Sequence, residues 1–148
     1  MSVAGRTYAR SSAYDVTREK IREFAAAVGD EHPAYIDPAA ARALGYADVI
    51  APATFASVLT LGSWSEVMAD LSVDFADVLH VDQRFVVSRP LRVGDTVRAQ
   101  TVVDDVRHRM GASWLTLRTE VATESDEHVC TSVATIMVRL PADDEPHR

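Results

Sequence analysis

Between Asp48 and Glu66 the chain carries no charged side chain, and this stretch constrains the fold more than any other. Phe55, Val58, Leu59 and Gly62 recur at i, i+3, i+4 and i+7, the spacing of one helical face. The neighbouring Ala56, Ser57, Thr60, Leu61 and Ser63 are small or apolar, so no side of the helix is charged. A helix of that kind, within the stretch from Val49 to Leu71 (VIAPATFASVLTLGSWSEVMADL), is expected to be buried on all sides. The uncharged run, residues 49–65, is too short and too rich in hydroxyls for a membrane span, which needs about 20 mainly apolar residues. The rest of the chain must therefore wrap a helix.

A length of 148 residues with 47% hydrophobic and 25% charged content suits one soluble globular domain. Residues 1–148 are read as that domain, with 141–148, PADDEPHR, as a frayed polar tail. A net charge of −7 argues against general nucleic-acid binding, which needs a basic surface. The opening MSVAGRTYARSS lacks the apolar core of a signal peptide, so a cytoplasmic protein is expected. Cys130 is the only cysteine, which excludes an internal disulfide; in an alternating run it reads as a small buried hydrophobe. No Cys/His spacing suggests a metal and no glycine-rich loop suggests a nucleotide, so no cofactor is expected.

Tyr8 to Val16 reads as a short strand or extended lead-in. Thr17 can cap a helix whose stripe is Ile21, Phe24, Ala25 and Val28 and which Gly29 closes. Gly29 to Asp37 is a compact polar loop, Asp37-Pro38 starts a short helix ending at Gly45, and Pro52 opens the central helix. After that helix the period changes from 3.6 to 2. Leu79, Val81, Phe85 and Val87 fall on one face of a strand, with His80, Asp82, Arg84 and Val86 on the other. Pro90 and Gly94-Asp95 mark a turn, and Val97, Ala99, Thr101 and Val103 share a face of the next strand. Gly111 and then Glu124 to Glu127 set off two more strands, Trp114 to Thr123 and Val129 to Leu140. Consecutive strands with short turns make an antiparallel sheet. One buried helix followed by such a sheet predicts an α+β fold with the sheet curled around the helix.

Four stretches in this order, REKIREFAAAVGDEHPAYID, GYADVIAPATF, VLHVDQRF and RPLRVGDTV, resemble the hot-dog fold of MaoC-like (R)-specific enoyl hydratases and 3-hydroxyacyl dehydratases. Together they cover most of residues 14 to 140. Within that family the chain is similar to the actinobacterial group holding the A- and C-type subunits of the mycobacterial (3R)-hydroxyacyl-ACP dehydratase. The resemblance implies an acyl-ACP or acyl-CoA substrate. It also implies pairing, as a homodimer or as a heterodimer with a catalytic B-type hot-dog subunit, and no nucleic-acid or membrane partner.

The family's catalytic segment reads Gly-Asp-x-Asn-Pro-φ-His, with φ apolar. Gly29, Asp30 and Pro33 match it, His32 stands at the Asn position, and Tyr35 stands at the catalytic His position. Dehydrating a 3-hydroxyacyl thioester needs a base for the C2 proton, an acid for the leaving hydroxyl, and donors aimed at the thioester oxygen. The resemblance implies that a His–Asp pair handles the protons. Backbone N–H groups near the start of the central helix, the substrate-binding stretch Pro52, Ala53, Thr54 and Phe55, would hold the oxygen, where a helix N-terminus carries the right partial charge; Pro52 itself has no N–H to give. A tyrosine with a pKa near ~10 is a poor base, although it can donate a hydrogen bond. Three readings stay open. The chain is the non-catalytic, substrate-binding half of a heterodimeric dehydratase in fatty-acid or polyketide synthesis; or His32 replaces the lost histidine in a homodimer; or the fold holds a thioester for hydrolysis or conjugate addition. A non-enzymatic acyl-binding scaffold is the rival from a different class.

Plainer readings stand beside these. Asp30 can simply stabilise the turn after a helix-ending glycine. His32 can be a solvent-exposed loop residue, and Tyr35 an amphipathic residue at the core edge. His80 and Gln83 can be structural, while the likeness of VLHVDQRF to the family's His-Gly-x-Gln strand makes them candidates to face substrate or a dimer partner, with Val81 in place of the glycine. Trp64, Met68 and Leu71 finish the core or line an acyl tunnel. Arg84, Arg89, Arg92, Arg98, Arg107 and Arg109 would suit an acidic carrier protein or the phosphates of coenzyme A; each can also sit on a solvated strand face.

Overall fold

Thr17 accepts a hydrogen bond from the Lys20 N–H and starts α1 (Arg18–Val28), which Gly29 closes at φ 70°. Only glycine enters that left-handed region without a Cβ penalty. Ile21 and Ala25 are buried, while Val28, assigned to the same stripe, is exposed beside the closing turn. The computed structural model describes residues 3–139, so the tail expected at 141–148 lies outside the described residues. The segment expected to be a polar loop contains a turn of helix, α2 (Pro33–Ile36). His32 caps it through Nδ1, which accepts from the Ala34 N–H at 3.2 Å, and Pro33 supplies the first helical φ. Asp37 then caps α3 (Pro38–Ala43), its carboxylate accepting from the Ala39 N–H at 2.9 Å.

The central segment is not one continuous helix. A 3-10 turn, Ala53–Ala56, leads into α4 (Ser57–Ser63), and Trp64 separates α4 from α5 (Ser65–Leu71). The hydroxyls explain the break: Ser63 Oγ donates to the Thr60 carbonyl at 2.8 Å and Ser65 Oγ to the Gly62 carbonyl at 3.0 Å, in competition with the helical ladder. The buried positions are the pairs Phe55/Ala56, Leu59/Thr60, Ser63/Trp64 and Val67/Met68. Val58 and Leu61 are 39% and 47% exposed. Burial on all sides therefore does not occur in the isolated chain, because the sheet covers only one side of this uncharged rod.

Strand β1 (Tyr14–Asp15) is joined by β2 (Val78–Val87), β3 (Thr96–Arg109), β4 (Ala112–Thr123) and β5 (His128–Val138) in one antiparallel sheet of order β1-β3-β4-β5-β2. The alternation read for β3 holds, with Val97, Ala99, Thr101 and Val103 all buried. The sheet curls around the central segment in the hot-dog arrangement that the motifs implied. Phe55 and Leu59 pack with Val97, Ala99 and Val121 in one apolar cluster, and Trp64, Val67 and Met68 pack with Val103, Leu115 and Ile136 in another. Between the clusters runs a row of hydroxyls. Ser63 bonds Thr101 at 2.7 Å, Thr101 bonds Thr119 at 2.8 Å, and Ser132 stands directly across from Thr119. These buried groups partner one another, which removes most of the cost of burying them.

The lead-in from Tyr8 is strand only at Tyr14–Asp15. Its earlier part lies along β3, where the Tyr8 N–H donates to Thr101 and the Ser11 N–H to Ala99, and so covers that edge of the sheet. At the opposite edge the simple alternation of β2 fails. The register with β5 shifts between His80 and Asp82, which leaves Val81 as an extra residue. A bulge of this kind reverses the phase of the residues beyond it. His80 and Gln83, an odd number of positions apart, both turn toward the central segment. The His80 ring lies 5.5 Å from Trp64, and Gln83 Nε2 donates to Ser132 at 3.0 Å. Among the described residues no helix is long and apolar enough to cross a membrane.

Candidate active site

Val49 to Ala51 is pinned from both sides. The Ile50 N–H donates to the Ala34 carbonyl at 3.1 Å and the Ala51 N–H to the Leu91 carbonyl at 2.7 Å. These bonds set α2, the start of the central segment and the turn after β2 around a cleft of about 130 Å³. Tyr35, Ile50, Ala51, Pro52, Ala53 and Ala56 form one wall; Val87, Arg89, Pro90, Leu91, Val129 and Cys130 form the other.

Tyr35 is half-buried in that wall. Burial, and after it the negative charge of Asp30, pushes its phenol above the ordinary value of 10.0. The phenol therefore keeps its proton at neutral pH and can donate a hydrogen bond, but it cannot serve as a base there. Asp30 closes α1 through its backbone N–H, which donates to the Ala25 carbonyl at 2.9 Å, and its side chain is exposed. The His32 ring centre lies 5.2 Å from that of Tyr35, with its Nδ1 lone pair occupied by the Ala34 N–H. Asp30, His32 and Tyr35 are thus neighbours, and of the three only Tyr35 lines the cleft.

At the start of the central segment Pro52 and Ala53 line the cleft, and no side chain caps the turn. Thr54 is exposed. Phe55 points away into the core, its ring edge-on to Phe24 at 5.3 Å and to Tyr14 at 6.3 Å. Arg89 is held by two hydrogen bonds to Asp95 at 2.7 and 3.0 Å and two to Glu127 at 2.8 and 3.0 Å. Those bonds, to Glu127 first and Asp95 second, raise its pKa and make it a strut rather than a free cation. Burial, and then Glu120, lifts the Cys130 thiol to about 11, so it stays protonated in the cleft wall.

Residues 2–132 match the family described as FAS1-like, dehydratase domain region. This chain belongs to that family. A UPF0336 protein of Thermobifida fusca strain YX is 48% identical over 137 residues, covering 91% of this chain and 90% of that protein. A chain of the C-terminally truncated HadBC (3R-hydroxyacyl-ACP dehydratase) complex of Mycobacterium tuberculosis superposes with a TM-score of 0.80 at 33% identity, over 93% of this chain and 98% of that one. A MaoC-like dehydratase superposes with a TM-score of 0.85 at 31% identity, over 96% of this chain but only 43% of that longer one. The hot-dog fold of the MaoC-like dehydratases is therefore this chain's fold.

Other candidates of this FAS1-like dehydratase region lie outside the cleft. His80 and Gln83 sit beneath the central segment, while Trp64 and Met68 are buried in the second apolar cluster. Four of the arginines read as a group are ion-paired: Arg89, Arg92 with Asp95 at 3.9 Å, Arg98 with Glu124 at 3.3 Å, and Arg107 with Asp105 at 2.6 Å. Arg84 and Arg109 have no ion-pair partner among the described residues. The patch is therefore largely neutralised by its own neighbours. Sequence reasoning missed Val87, Arg89, Leu91 and Val129 as cleft residues. The Pro90–Asp95 turn marked only a chain reversal, and nothing local in these residues signals that folding brings them opposite Tyr35.

Proposed function

We propose that this chain is the substrate-holding subunit of a (3R)-hydroxyacyl-thioester dehydratase or enoyl hydratase acting on acyl-ACP or acyl-CoA in fatty-acid or polyketide synthesis. In this reading it is a single cytoplasmic domain, and a second hot-dog chain supplies the His–Asp pair. One observation carries it: Tyr35, the residue that the motif resemblance sets at the catalytic His position, lines a cleft beside the uncapped start of the central segment and is a phenol that keeps its proton.

Dehydration removes a proton from C2, places that electron pair between C2 and C3, and releases the hydroxyl with a proton from an acid. Charge grows on the thioester oxygen meanwhile, and backbone N–H groups such as those of Ala53 and Thr54 suit it. Tyr35 can donate to the substrate but cannot take the C2 proton. His32 spends one ring nitrogen on capping α2, which speaks against its acting as the substitute base. The HadBC likeness supports a hot-dog partner, because the protein named there is a complex of hot-dog subunits.

The test is hydration of crotonyl and longer enoyl thioesters by the purified chain, alone and with a B-type partner carrying the intact Asp…His motif. Turnover is expected only with the partner. Strong turnover by the chain alone would overturn the non-catalytic reading, and silence with every partner would leave an acyl-binding scaffold. Release of free thiol by the chain alone would make it a thioesterase.

A further inference from the structure

An acyl chain has two apolar spaces to enter on this fold, and the structure separates them. The cleft leads down to Ala56, Leu91, Val129 and Cys130, all buried, while Ala53 and Val87 stand exposed at its rim. Those four floor residues belong to the first apolar cluster, packed with Phe55, Val97, Ala99 and Val121. The floor is therefore close-packed core, and a longer ligand cannot push it back without losing that packing.

The space around Trp64, Met68 and Leu71 is the other place where a tunnel could run. Trp64 is 1% exposed and Met68 2%, so their own side chains fill it. The hydroxyls of Ser63, Thr101, Thr119 and Ser132 lie between the two clusters. Gln83 joins that row from β2, donating to Ser132 at 3.0 Å and to Thr60 at 3.4 Å. A hydrocarbon chain crossing from the cleft would have to part these bonds. Every buried polar group left unpaired offsets the gain from roughly two methylenes.

We infer that the cleft admits only short acyl chains, of about four to six carbons, and that Leu91, Val129 and Cys130 set the limit. The inference rests on the proposed function and names the substrate class of that same cleft. Its volume gives the number. An apolar cavity of ~150 Å³ holds one benzene, about six carbon atoms, and this cleft is slightly smaller at about 130 Å³. Tyr35 and Arg89 bring the polar side chains of the lining, and Arg89 is already saturated by Asp95 and Glu127. The thioester end therefore belongs near Tyr35 and Ala53, and the methyl end against Leu91, Val129 and Cys130. Carbons beyond the limit stay in water at the rim and gain nothing from burial.

The test is isothermal titration calorimetry of the full chain with saturated coenzyme A thioesters from acetyl to dodecanoyl, with free coenzyme A as the baseline. The dissociation constant should fall about fourfold for each carbon up to hexanoyl and then stop falling. Leu91→Ala lowers the floor and should move the break out to about octanoyl; Val129→Ala, a smaller cut, should move it less. Thermal melts by circular dichroism check that each variant is folded. Met68→Ala opens the second cluster instead and should leave the break at hexanoyl. Affinity that keeps rising to dodecanoyl, affinity that never exceeds that of free coenzyme A, or a break that moves with Met68 but not with Leu91 or Val129 would each overturn the inference. Hydration of a dodecenoyl thioester as fast as a crotonyl one alongside a B-type chain would sink the length limit alone. The expected break at hexanoyl without turnover alongside any partner would sink the functional reading alone.

Discussion

Tyr35 is where a single side chain decides the chemistry. If it stands in the place of a lost base, Tyr35→His should give the chain a hydratase rate of its own, about 100-fold above wild type on a short enoyl thioester. A stopped assay at equal protein concentration measures this, and no gain would show that the position is not in reach of the substrate. Cys130 makes the opposite prediction. With its thiol at about 11 and its surface buried, it should react with a disulfide reagent at pH 8 at least ~100-fold more slowly in the native chain than in urea. Arg89 is structural, its side chain 17% exposed and that of Asp95 9%. Removing the guanidinium strands a nearly buried carboxylate, so Arg89→Ala should cost about 3 kcal/mol in urea unfolding.

The central segment separates packing from assembly at the level of elements. Leu59 is 5% exposed and lies in the cluster with Phe55, so Leu59→Ala should lose about 3 kcal/mol of stability. Leu61, 47% exposed, faces away from the sheet, and Leu61→Ser should change the unfolding free energy of the separated chain by less than about 0.5 kcal/mol. Equal losses at both positions would mean that the outward face is already covered. The spacing separated these two leucines, with Leu59 on the Phe55 stripe and Leu61 off it, but it also put Val58 on that stripe, which is 39% exposed, because a helix with no charged side gives the pattern no sharp edge. The bulge at Val81 escaped for a related reason. Alternation fixes a strand's faces only while the count stays regular, and one inserted residue in VLHVDQRF reverses it without any signal in composition.

Over the whole molecule the ion pairs set the response to acid. The hydrogen bond from Arg89 holds Glu127 below the ordinary carboxylate range, that from Arg18 does so for Asp48, and those from Tyr8 and Arg6 do so for Asp70. The folded state therefore releases these protons more readily than the unfolded state. The stability this adds is present above the ordinary carboxylate range and is lost as pH falls through the lower folded values. The urea midpoint should accordingly be flat from about pH 7 to 5 and fall below about pH 4. A midpoint that fell already between pH 7 and 5 would point to a different set of groups.

Much of the architecture was legible locally. Thr17 and Gly29 bound α1, Asp37-Pro38 starts α3, and the alternation of Val97, Ala99, Thr101 and Val103 is kept, because caps and pleats depend on neighbours close in sequence. The motif at Gly29 to Tyr35 set the expectation that the chemistry differs here, since that reading depends on residue identity alone. Only the tertiary structure decided that Tyr35 meets Val87, Leu91 and Cys130 across one cleft, that most of the arginines are already paired, and that the rod keeps an open face beside an open strand edge. Those outcomes depend on which distant surfaces meet once the sheet curls, and spacing along the chain carries no record of that distance.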